Sequence, residues 1–411
     1  MIEIVLDRLI KVGRLTLALP SGKQLIFGQP DPASPSADVA MAIHSFEAAR
    51  RIASDPFLRF GEAYVAGEVS FTTGTLIDFL NLIGANLWGL PPPPQWLRAV
   101  KRLRISLDTL NGLRQARLNV AHHYDLSEKL YRSFLDADLQ YSCAYFERPD
   151  ISLEDAQAAK KRHLLSKLDL KAGQSVLDIC CGWGGLALEI ARSADVRVLG
   201  ITLSENQLVV ARERARQEGL QDRVCFELID FRNLNGRFDR IISVGMFEHV
   251  GLHNYQAFFD TVKCLLTESG VAVIHSIGRR ASGSASNGWI RKYIFPGGYI
   301  PSLSEVTKAT ERANLWVTDV EILRKHYAET LKAWRLRFLE NYHEIASHYD
   351  DRFRRMWEFY LAASEISFRY GDLMVFQLQV TRNIDALPIT RTYMFERERL
   401  LEAEPDAPAI P

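Results

Sequence analysis

A short stretch of acidic and small residues could hold a nucleotide-like ligand. Asp178 closes the apolar run 175–179, which predicts a buried strand, and Gly182 and Gly184 follow it in a turn. Residues 186–192 then have helical spacing. Glycine lets a ligand approach the backbone, because no side chain holds it away. The order strand, glycine turn, helix predicts the first unit of a doubly wound sheet, with a ligand crevice beyond the carboxyl end of the strand.

The spacing of the glycines leaves three interpretations of this turn. A dinucleotide-binding fold would have the pattern G-x-G-x-x-G, which residues 180–185 fit poorly. The run Asp178-x-x-x-Gly182-x-Gly184 fits the glycine loop of S-adenosylmethionine (SAM) methyltransferases better. These residues alone therefore favour a SAM enzyme. A nicotinamide enzyme, or a glycine turn that only packs a helix on a strand, stays open.

The elements that must position this turn alternate along the chain. The predicted strands cover residues 175–179, 197–201, 224–228, 238–244, 270–276, 316–323 and 373–380, the last of which ends the regular structure. The predicted helices cover residues 45–53, 76–90, 127–135, 152–168, 204–218, 255–266, 304–313, 329–347 and 352–369, and a loop-like insertion covers 277–301. Near-continuous apolar strands in this alternation indicate a parallel sheet buried on both faces. The predicted fold class is α/β, with a doubly wound, Rossmann-like sheet.

The N-terminal region has a different pattern, which predicts a separate domain. Two short strands, 14–19 and 23–27, are joined by Pro20-Ser21-Gly22, a hairpin signal. Four consecutive prolines, 91–94, must stop the apolar helix before them, since proline cannot continue a helix. We predict an N-terminal α+β accessory domain over residues 1–110, a catalytic domain over 111–400 and a disordered tail over 401–411.

Composition and charge argue against several classes of protein. The 411 residues include 50 basic and 50 acidic ones, and this zero net charge argues against a general nucleic-acid binder. The five cysteines include no pair with zinc-ligand spacing, so we predict no metal site and a reducing, cytosolic setting. No segment approaches the ~18 uncharged apolar residues that cross a bilayer.

Local basic clusters leave their role open. They are Arg50-Arg51, the group Lys101, Arg102 and Arg104, Lys160-Lys161-Arg162, and the group Arg352, Arg354 and Arg355. Each has the composition of a solvated helix face. The basic amphipathic stretch 96–113 is interpreted either as a connecting helix packed on the next domain or as a membrane-facing helix.

Longer motifs carry a family resemblance. In one order the chain contains "YSCAYF", "VLDICCGWGG", "GITLSENQ", "DRIISVGMFEHVG" and "WIRKYIFPGGYIPS". With these motifs it resembles the cyclopropane-fatty-acyl-phospholipid synthases and the related mycolic-acid cyclopropane synthases over about residues 119–380. The earlier run "RFGEAYVAGE" resembles the extra lipid-associated domain of the longer bacterial members.

The resemblance implies a class I SAM-dependent methyltransferase that acts on lipids. The methyl group of SAM is transferred to the cis double bond of an acyl chain within a phospholipid. The resulting carbocation loses a proton to bound bicarbonate and closes to a cyclopropane. The alternative is a relative on the same scaffold that leaves a methylene- or methyl-branched chain. A non-catalytic lipid-binding protein with a decayed cofactor site is a third interpretation.

The resemblance also implies a location. We expect a cytoplasmic enzyme that binds peripherally, and in a salt-sensitive way, to the inner face of a bacterial membrane, with unsaturated phospholipid as its partner. The N-terminal domain makes a homodimer a reasonable expectation.

By the resemblance, five residues surround the bicarbonate. They are Cys143, Glu248, His275, Ile277 and Tyr327. His275 and Tyr327 would donate hydrogen bonds to the anion, and Ile277 would donate through its backbone N–H. Glu248 would accept a hydrogen bond from the bicarbonate hydroxyl and so orient it. Such an arrangement suits a dry site, because a buried anion must be satisfied by donors.

A second set is implied in SAM binding. It consists of Tyr141, Ser142, Asp178, Cys180, Gly182, Gly184, Thr202, Leu203, Gln207, Asp230 and Phe231. Phe231 is expected to stack on adenine, although simple core packing is the other interpretation of this aromatic residue.

The chain departs from the family pattern at two points. Cys180 stands where family members usually have glycine. If that position needs a positive φ, the cysteine costs on the order of 1 kcal/mol or more. Ser127-Glu128-Lys129 stands where a Gly-Asn-Asp type of turn is common, so the lid near the acyl chain is expected to differ.

Overall fold

The computed structural model describes residues 2–30, 38–87, 127–282, 287–296 and 298–403. Several predicted features lie outside these ranges, namely the four prolines, the basic stretch 96–113 and the end of the tail. The chain divides into two compact units. The first contains residues 1–101, 285–296 and 327–373, and the second contains residues 102–284, 297–326 and 374–411. The domain boundary predicted near residue 110 falls outside the described residues and stays a prediction.

Strands and helices alternate through most of the described chain. The strands are β1 (Gly13–Ala18), β2 (Gln24–Gln29), β3 (Asp38–Ile43), β4 (Val69–Thr73), β5 (Ser175–Ile179), β6 (Arg197–Thr202), β7 (Val224–Leu228), β8 (Phe238–Val244), β9 (Leu266–Arg279), β10 (Trp316–Leu323) and β11 (Leu373–Thr381). The helices are α1 (Ile2–Leu9), α2 (Phe46–Ser54), α3 (Pro56–Val65), α4 (Leu76–Leu87), α5 (Glu128–Arg132), α6 (Leu153–Leu168), α7 (Gly185–Ser193), α8 (Glu205–Gln217), α9 (Phe247–Val250), α10 (Tyr255–Leu265), α11 (Gly288–Tyr293), α12 (Leu303–Arg312), α13 (His326–Ile345), α14 (Asp351–Arg369) and α15 (Thr392–Ala403).

The first unit contains a small mixed sheet in the order β2-β1-β3-β4. The predicted hairpin is confirmed, because β1 and β2 pair antiparallel with Ala18 opposite Gln24. Gly22 in its turn has φ 81°, a conformation that glycine adopts without steric cost. Strand β3 then pairs with β1 in parallel, a non-local pairing that the sequence analysis did not predict.

Two segments distant in sequence belong to the first unit as well. Helices α11 and α14 are among them, although the sequence analysis placed both in the catalytic domain. The ring of Phe359 in α14 lies 6.2 Å from the ring of Phe60 in α3 and 4.7 Å from that of Trp289 in α11. Aromatic packing of this kind explains the grouping, and hydrophobic periodicity along the chain cannot reveal it.

The second unit is built on a seven-stranded sheet in the order β10-β11-β9-β8-β5-β6-β7. Strands β5 to β9 pair in parallel, whereas β10 and β11 pair antiparallel. The predicted α/β, doubly wound fold class is thereby confirmed. The chain runs from β5 outward to β6 and β7, then crosses to β8 and β9 on the other side. The point where strand order reverses therefore lies between β5 and β8, where ligands bind in such sheets.

Both faces of this sheet are buried. Leu177 and Ile179 of β5 belong to one apolar cluster, together with Phe247 and Phe258. Val176, which directly precedes Leu177 in the strand, belongs to a second cluster. Alternate residues of a strand point to opposite faces, so the sheet is covered on both sides, as its apolar strands predicted.

Three elements differ from the sequence-based expectation. Strand β9 continues to Arg279, so Ile277 lies in the strand and not in a loop-like insertion. Helix α11 interrupts the rest of that insertion. Regular structure does not end at β11, because α15 follows and includes residues 401–403, which were expected to be disordered. Helix α15 has a single buried apolar residue, Met394, and polar contacts hold it, so its apolar pattern is too weak to predict a helix.

Candidate active site

The glycine turn after β5 has a strained backbone. Cys180 has φ 72°, and the backbone N–H groups of Cys180 and Cys181 both donate to the carbonyl of Ile201, at 2.9 and 3.0 Å. Gly182 and Gly184 also have positive φ values, 56° and 84°. The backbone at position 180 therefore does have the positive φ that would favour glycine. Cys180 occupies a conformation that costs roughly 1–2 kcal/mol for a residue with a Cβ.

The glycines of the turn have different roles. A Cβ on Gly184 would lie 2.7 Å from Cζ of Phe226, and a Cβ on Gly185 would lie 2.5 Å from the carboxylate of Asp138. These two glycines are required by packing within the protein. A Cβ on Gly182 would meet nothing within 4 Å. Gly182 is therefore the glycine of the turn that leaves space for a ligand beside the backbone.

A cavity lies at the carboxyl ends of β5 and β8, which is the point where strand order reverses. Six of the predicted SAM-binding residues line it: Tyr141, Ser142, Asp178, Cys180, Gly182 and Gln207. Eight further residues line it as well: Leu139, Gln140, Cys181, Trp183, Gly185, Leu186, Val244 and Gly245. The space between them is ≈ 670 Å³ with its open mouth included. This placement suits a nucleotide-like ligand.

Five other predicted SAM-binding residues do not line this cavity, namely Gly184, Thr202, Leu203, Asp230 and Phe231. Thr202 supports it indirectly, since its hydroxyl donates to Oε1 of Gln207 at 2.8 Å. Asp230 pairs with Arg232 at 2.7 Å. The ring of Phe231 lies edge-on to Phe258, with 5.4 Å between centroids, and packs against the apolar core. Core packing therefore accounts for part of the Phe231 surface.

Asp178 is the most unusual polar group in the cavity. Its side chain is buried, and its Oδ2 atom has no hydrogen-bond partner among the described residues. Burial raises the pKa of Asp178 to about 7, against the opposing charge of Lys160. A buried, unsatisfied carboxylate is costly in a folded protein and marks a functional position.

Lys160 is a residue that the sequence analysis missed. It belongs to a basic cluster that was interpreted as a solvated helix face, yet it is completely buried. Its ammonium donates to Oε1 of Gln140 and, at 3.1 Å, to the hydroxyl of Ser142. Burial lowers the pKa of Lys160 to about 8. The lysine holds the segment that carries Tyr141, Ser142 and Cys143 against α6, and no sequence signal identifies it within the basic cluster. The adjacent Lys161 is buried as well and pairs with Asp138 and Glu189, so the solvated-face interpretation is wrong for both lysines.

Glu248 and Ile277, two of the residues predicted to hold bicarbonate, are in direct contact. Oε1 of Glu248 accepts a hydrogen bond from the backbone N–H of Ile277 at 2.7 Å. Oε2 of Glu248 has no hydrogen-bond partner among the described residues. Burial raises the pKa of Glu248 to about 7, against the hydrogen bond from Ile277. The N–H that was expected to face an anion therefore orients the carboxylate of Glu248.

His275 and Cys143 are both buried. His275 precedes Ile277 by two positions in β9, so their side chains leave the sheet on the same face. Burial, together with the charge of Lys160, lowers the pKa of His275 well below its usual range, so the ring is neutral. The thiol of Cys143 donates to the carbonyl of Ala144 at 3.3 Å.

Tyr327 belongs to the first unit, whereas the other four residues predicted to surround bicarbonate belong to the second. Its ring packs 4.7 Å from that of Phe368 and 5.8 Å from that of Trp334. A role for Tyr327 beside bicarbonate stays a prediction. Across the described ranges, no group of three or more His, Cys, Asp or Glu side chains is arranged to hold a metal ion.

Known proteins resemble this chain closely. Residues 112–378 match the family model described as mycolic acid cyclopropane synthetase. The chain is 42% identical over 279 residues to the cyclopropane-fatty-acyl-phospholipid synthase of Escherichia coli (strain K12), covering 68% of this chain and 72% of that protein. It is 41% identical over 287 residues to a probable fatty acid methyltransferase of Pseudomonas putida, covering 67% and 73%. The crystal structure of mycolic acid cyclopropane synthase CmaA1 complexed with SAH and CTAB is 33% identical, covers 66% of this chain and 99% of that chain, and has a TM-score of 0.62.

Proposed function

The chain belongs to the mycolic acid cyclopropane synthetase family and is a SAM-dependent methyltransferase, and we propose that it forms cyclopropane fatty acids from unsaturated acyl chains within phospholipids. One observation carries the proposal. Two buried carboxylates, Asp178 in β5 and Glu248 just after β8, each keep one oxygen without a partner among the described residues. These strands are neighbours in the sheet, so both carboxylates lie near its carboxyl edge, at the point where strand order reverses.

The first carboxylate suits the cofactor. SAM carries an amino group and ribose hydroxyls that can donate to Asp178, and it supplies an electrophilic methyl group. Gly182 leaves the backbone accessible beside Asp178. Gln207, held by Thr202, and the segment around Ser142, held by Lys160, complete the lining. Side chains fixed in this way orient a ligand before reaction, which is worth much of the barrier when the nucleophile is weak.

The second carboxylate suits proton removal. A double bond that accepts a methyl group becomes a carbocation, and ring closure requires that a proton leaves. Glu248 can accept a further hydrogen bond, because its Oε2 atom has no partner among the described residues. Bound bicarbonate would serve as the base, with Glu248 accepting from its hydroxyl and His275 donating to it. Cys143 and Tyr327 are proposed to complete this site, and burial keeps it dry.

One observation favours a second candidate function. The probable fatty acid methyltransferase of Pseudomonas putida is almost as similar to this chain as the cyclopropane-fatty-acyl-phospholipid synthase of Escherichia coli, at 41% against 42% identity. Methylation without ring closure starts from the same carbocation and differs in which proton leaves. The alternative product is a methylene- or methyl-branched acyl chain.

Product analysis tests both candidates. The full chain is expressed in a bacterial host that lacks such an enzyme, and the acyl chains of its phospholipids are analysed by gas chromatography and mass spectrometry. We expect cyclopropane chains with the wild type and none with Glu248→Gln. Branched chains without a ring would support the alternative. An absence of both products, with folded protein present, would overturn the proposal.

A further inference from the structure

A series of buried polar side chains leads away from His275 within the second unit. Nδ1 of His275 lies 3.2 Å from Nε2 of Gln377, which belongs to the neighbouring strand β11. Oε1 of Gln377 accepts a hydrogen bond from the ammonium of Lys167 at 2.5 Å. Lys167, His275 and Gln377 are each at most 2% exposed. The contacts are therefore shielded from water, and the donor or acceptor role of each group determines the role of the next group.

Lys167 determines which way the Gln377 amide faces. An ammonium group can only donate, so the amide atom beside it must be the oxygen. Burial lowers the pKa of Lys167, but the charge of Glu321 opposes this shift, and the ammonium donates to Oε2 of Glu321 at 2.5 Å. Burial acts to raise the pKa of Glu321, but hydrogen bonding to His163 and the charge of Lys167 lower it to about 2. Reversing the amide would place two donors against each other.

The orientation of the amide determines the tautomer of the histidine. With its oxygen on Lys167, Gln377 presents an N–H group to Nδ1 of His275, so Nδ1 must accept. A neutral imidazole that accepts at one nitrogen carries its proton on the other. We infer that Gln377, oriented by Lys167, fixes His275 as the Nε2–H tautomer and acts as a positioning residue for this histidine.

The charged groups around His275 agree with a neutral ring. Lys160, Lys167 and His163 oppose its protonation, and the carboxylate of Glu321 favours protonation less strongly. Lys160 and Lys167 lie on α6, and Glu321 lies on β10. The ring is therefore a neutral donor at Nε2 and not an imidazolium that donates from both nitrogens.

The consequence for catalysis rests on the proposed function. A histidine that donates from Nε2 can hold an anion, whereas the opposite tautomer would present a lone pair to it. Losing one donor of this kind typically lowers turnover by about 10²–10³-fold. Gln377→Glu should favour the opposite tautomer of His275, because a carboxylate can accept from Nδ1–H but cannot donate to Nδ1. We expect its turnover to fall by roughly 10²-fold.

Gln379 provides a matched control. It lies two positions along the same strand and is equally buried. Its amide nitrogen donates to the backbone carbonyl of Lys167 at 2.6 Å and to the hydroxyl of Tyr393 at 2.8 Å, not to His275. Gln379→Glu therefore places the same new carboxyl group in the same buried strand without changing the partner of the histidine.

The tautomer is measured directly by ¹⁵N NMR of the full chain labelled at histidine, with the His275 signals assigned from their loss in His275→Gln. In the wild type at neutral pH we expect Nε2 to have the shift of a protonated nitrogen and Nδ1 that of an unprotonated one. Gln377→Glu should change this pattern, and Gln379→Glu should preserve it.

Two results would overturn the inference. One is a wild-type His275 protonated at Nδ1, alone or together with Nε2, a result that needs no variant to fold. The other is an unchanged pattern in folded Gln377→Glu. Neither measurement requires turnover. A protein that shows the expected tautomer but modifies no lipid would contradict the proposed function alone.

Discussion

At the scale of single residues, the protonation of Asp178 makes the folding stability of the protein depend on pH. Burial raises its pKa to about 7 in the folded protein, whereas an aspartate in an unfolded chain titrates near ~3.9. A group whose folded pKa is raised stabilises the fold below the unfolded pKa. That contribution is lost as pH rises through the folded pKa. The protein therefore contains a site residue that opposes folding when it is ionised.

Replacing Asp178 with Asn should remove this pH dependence. Between about pH 4 and pH 8 the wild type should lose more unfolding free energy than Asp178→Asn, by on the order of 2–4 kcal/mol. Urea denaturation of the ligand-free proteins at several pH values measures the difference. Asp222→Asn, at an exposed position, should behave like the wild type. Parallel pH profiles for wild type and Asp178→Asn would contradict the prediction.

Cys180 supplies a second prediction at this scale. Glycine at φ 72° removes the strain on Cβ but gains flexibility in the unfolded chain. Cys180→Gly should therefore leave stability unchanged or raise it by up to ~1 kcal/mol, with SAM affinity the same or tighter. Cys225→Gly, in strand β7 with ordinary backbone angles, should lose roughly 0.5–1 kcal/mol. Calorimetric titration showing clearly weaker SAM binding by Cys180→Gly would contradict our interpretation of the loop.

Residue types and spacing predicted part of the site. Asp178 and Gly182 follow from a strand and a glycine turn, whereas Gln207 was implied by the family resemblance, and all three line the cavity. Lys160 and Gln377 could not be predicted in the same way. A lysine in a basic run has the pattern of a solvated face, and its burial depends on acceptors that the fold brings from elsewhere in the chain.

At the scale of elements, α15 shows how polar contacts can hold a helix. Oε1 of Glu398 lies 2.8 Å from Nδ1 of His163 in α6. Nε2 of the same ring lies 2.7 Å from Oε2 of Glu321 in β10. Burial acts to lower the pKa of His163, but these two carboxylates raise it. A partly buried, charge-assisted hydrogen bond of this kind contributes more than a surface ion pair.

Removing this contact should loosen the helix. Glu398→Gln should lower the unfolding free energy by roughly 1.5–3 kcal/mol. Glu396→Gln, on the exposed part of the same helix, should change it by less than about 0.5 kcal/mol. Chemical denaturation followed by circular dichroism gives both values. Equal stability of the two variants would show that the contact does not hold α15.

The elements of the second unit could be predicted more fully than those of the first. Strands β5 to β8 are short apolar runs between helices, and their local pattern predicts them. Strand β3 is rich in alanine and pairs in parallel with β1, so tertiary contacts decide its structure. The same holds for α15, whose side chains bury little apolar area.

At the scale of the whole molecule, the two units have different chemistry. The second contains the cavity and the two buried carboxylates that each keep one oxygen without a partner among the described residues. The first presents exposed aromatic side chains at the starts of consecutive helices, Phe46 in α2 at 68% and Phe57 in α3 at 64% exposure. No helix in the described part of the chain is long and apolar enough to cross a membrane. Peripheral binding to a lipid surface and homodimer formation stay predictions.

Vesicle flotation tests the predicted peripheral binding to a lipid surface. The full chain should float with vesicles that contain unsaturated and anionic phospholipid, and less of it should float at high salt, because screening weakens attraction between basic residues and the surface. The double variant Phe46→Ser and Phe57→Ser should float less than the wild type. Ile389→Ser, a fully exposed position in the second unit, is the control. Flotation that is independent of anionic lipid would contradict the prediction.

The strained turn has one more consequence. An enzyme that holds an electrophilic methyl donor risks alkylating itself, and thiolates are the protein groups most easily alkylated. Two cysteines line the cavity, the partly exposed Cys180 and the buried Cys181. Desolvation of the thiolate, with the nearby charge of Asp178, raises the pKa of Cys180 to about 12 and raises that of Cys181 well above its usual range. Both sulfurs therefore remain protonated thiols. Thiols held in the protonated form are expected to protect the protein from alkylation by its own cofactor.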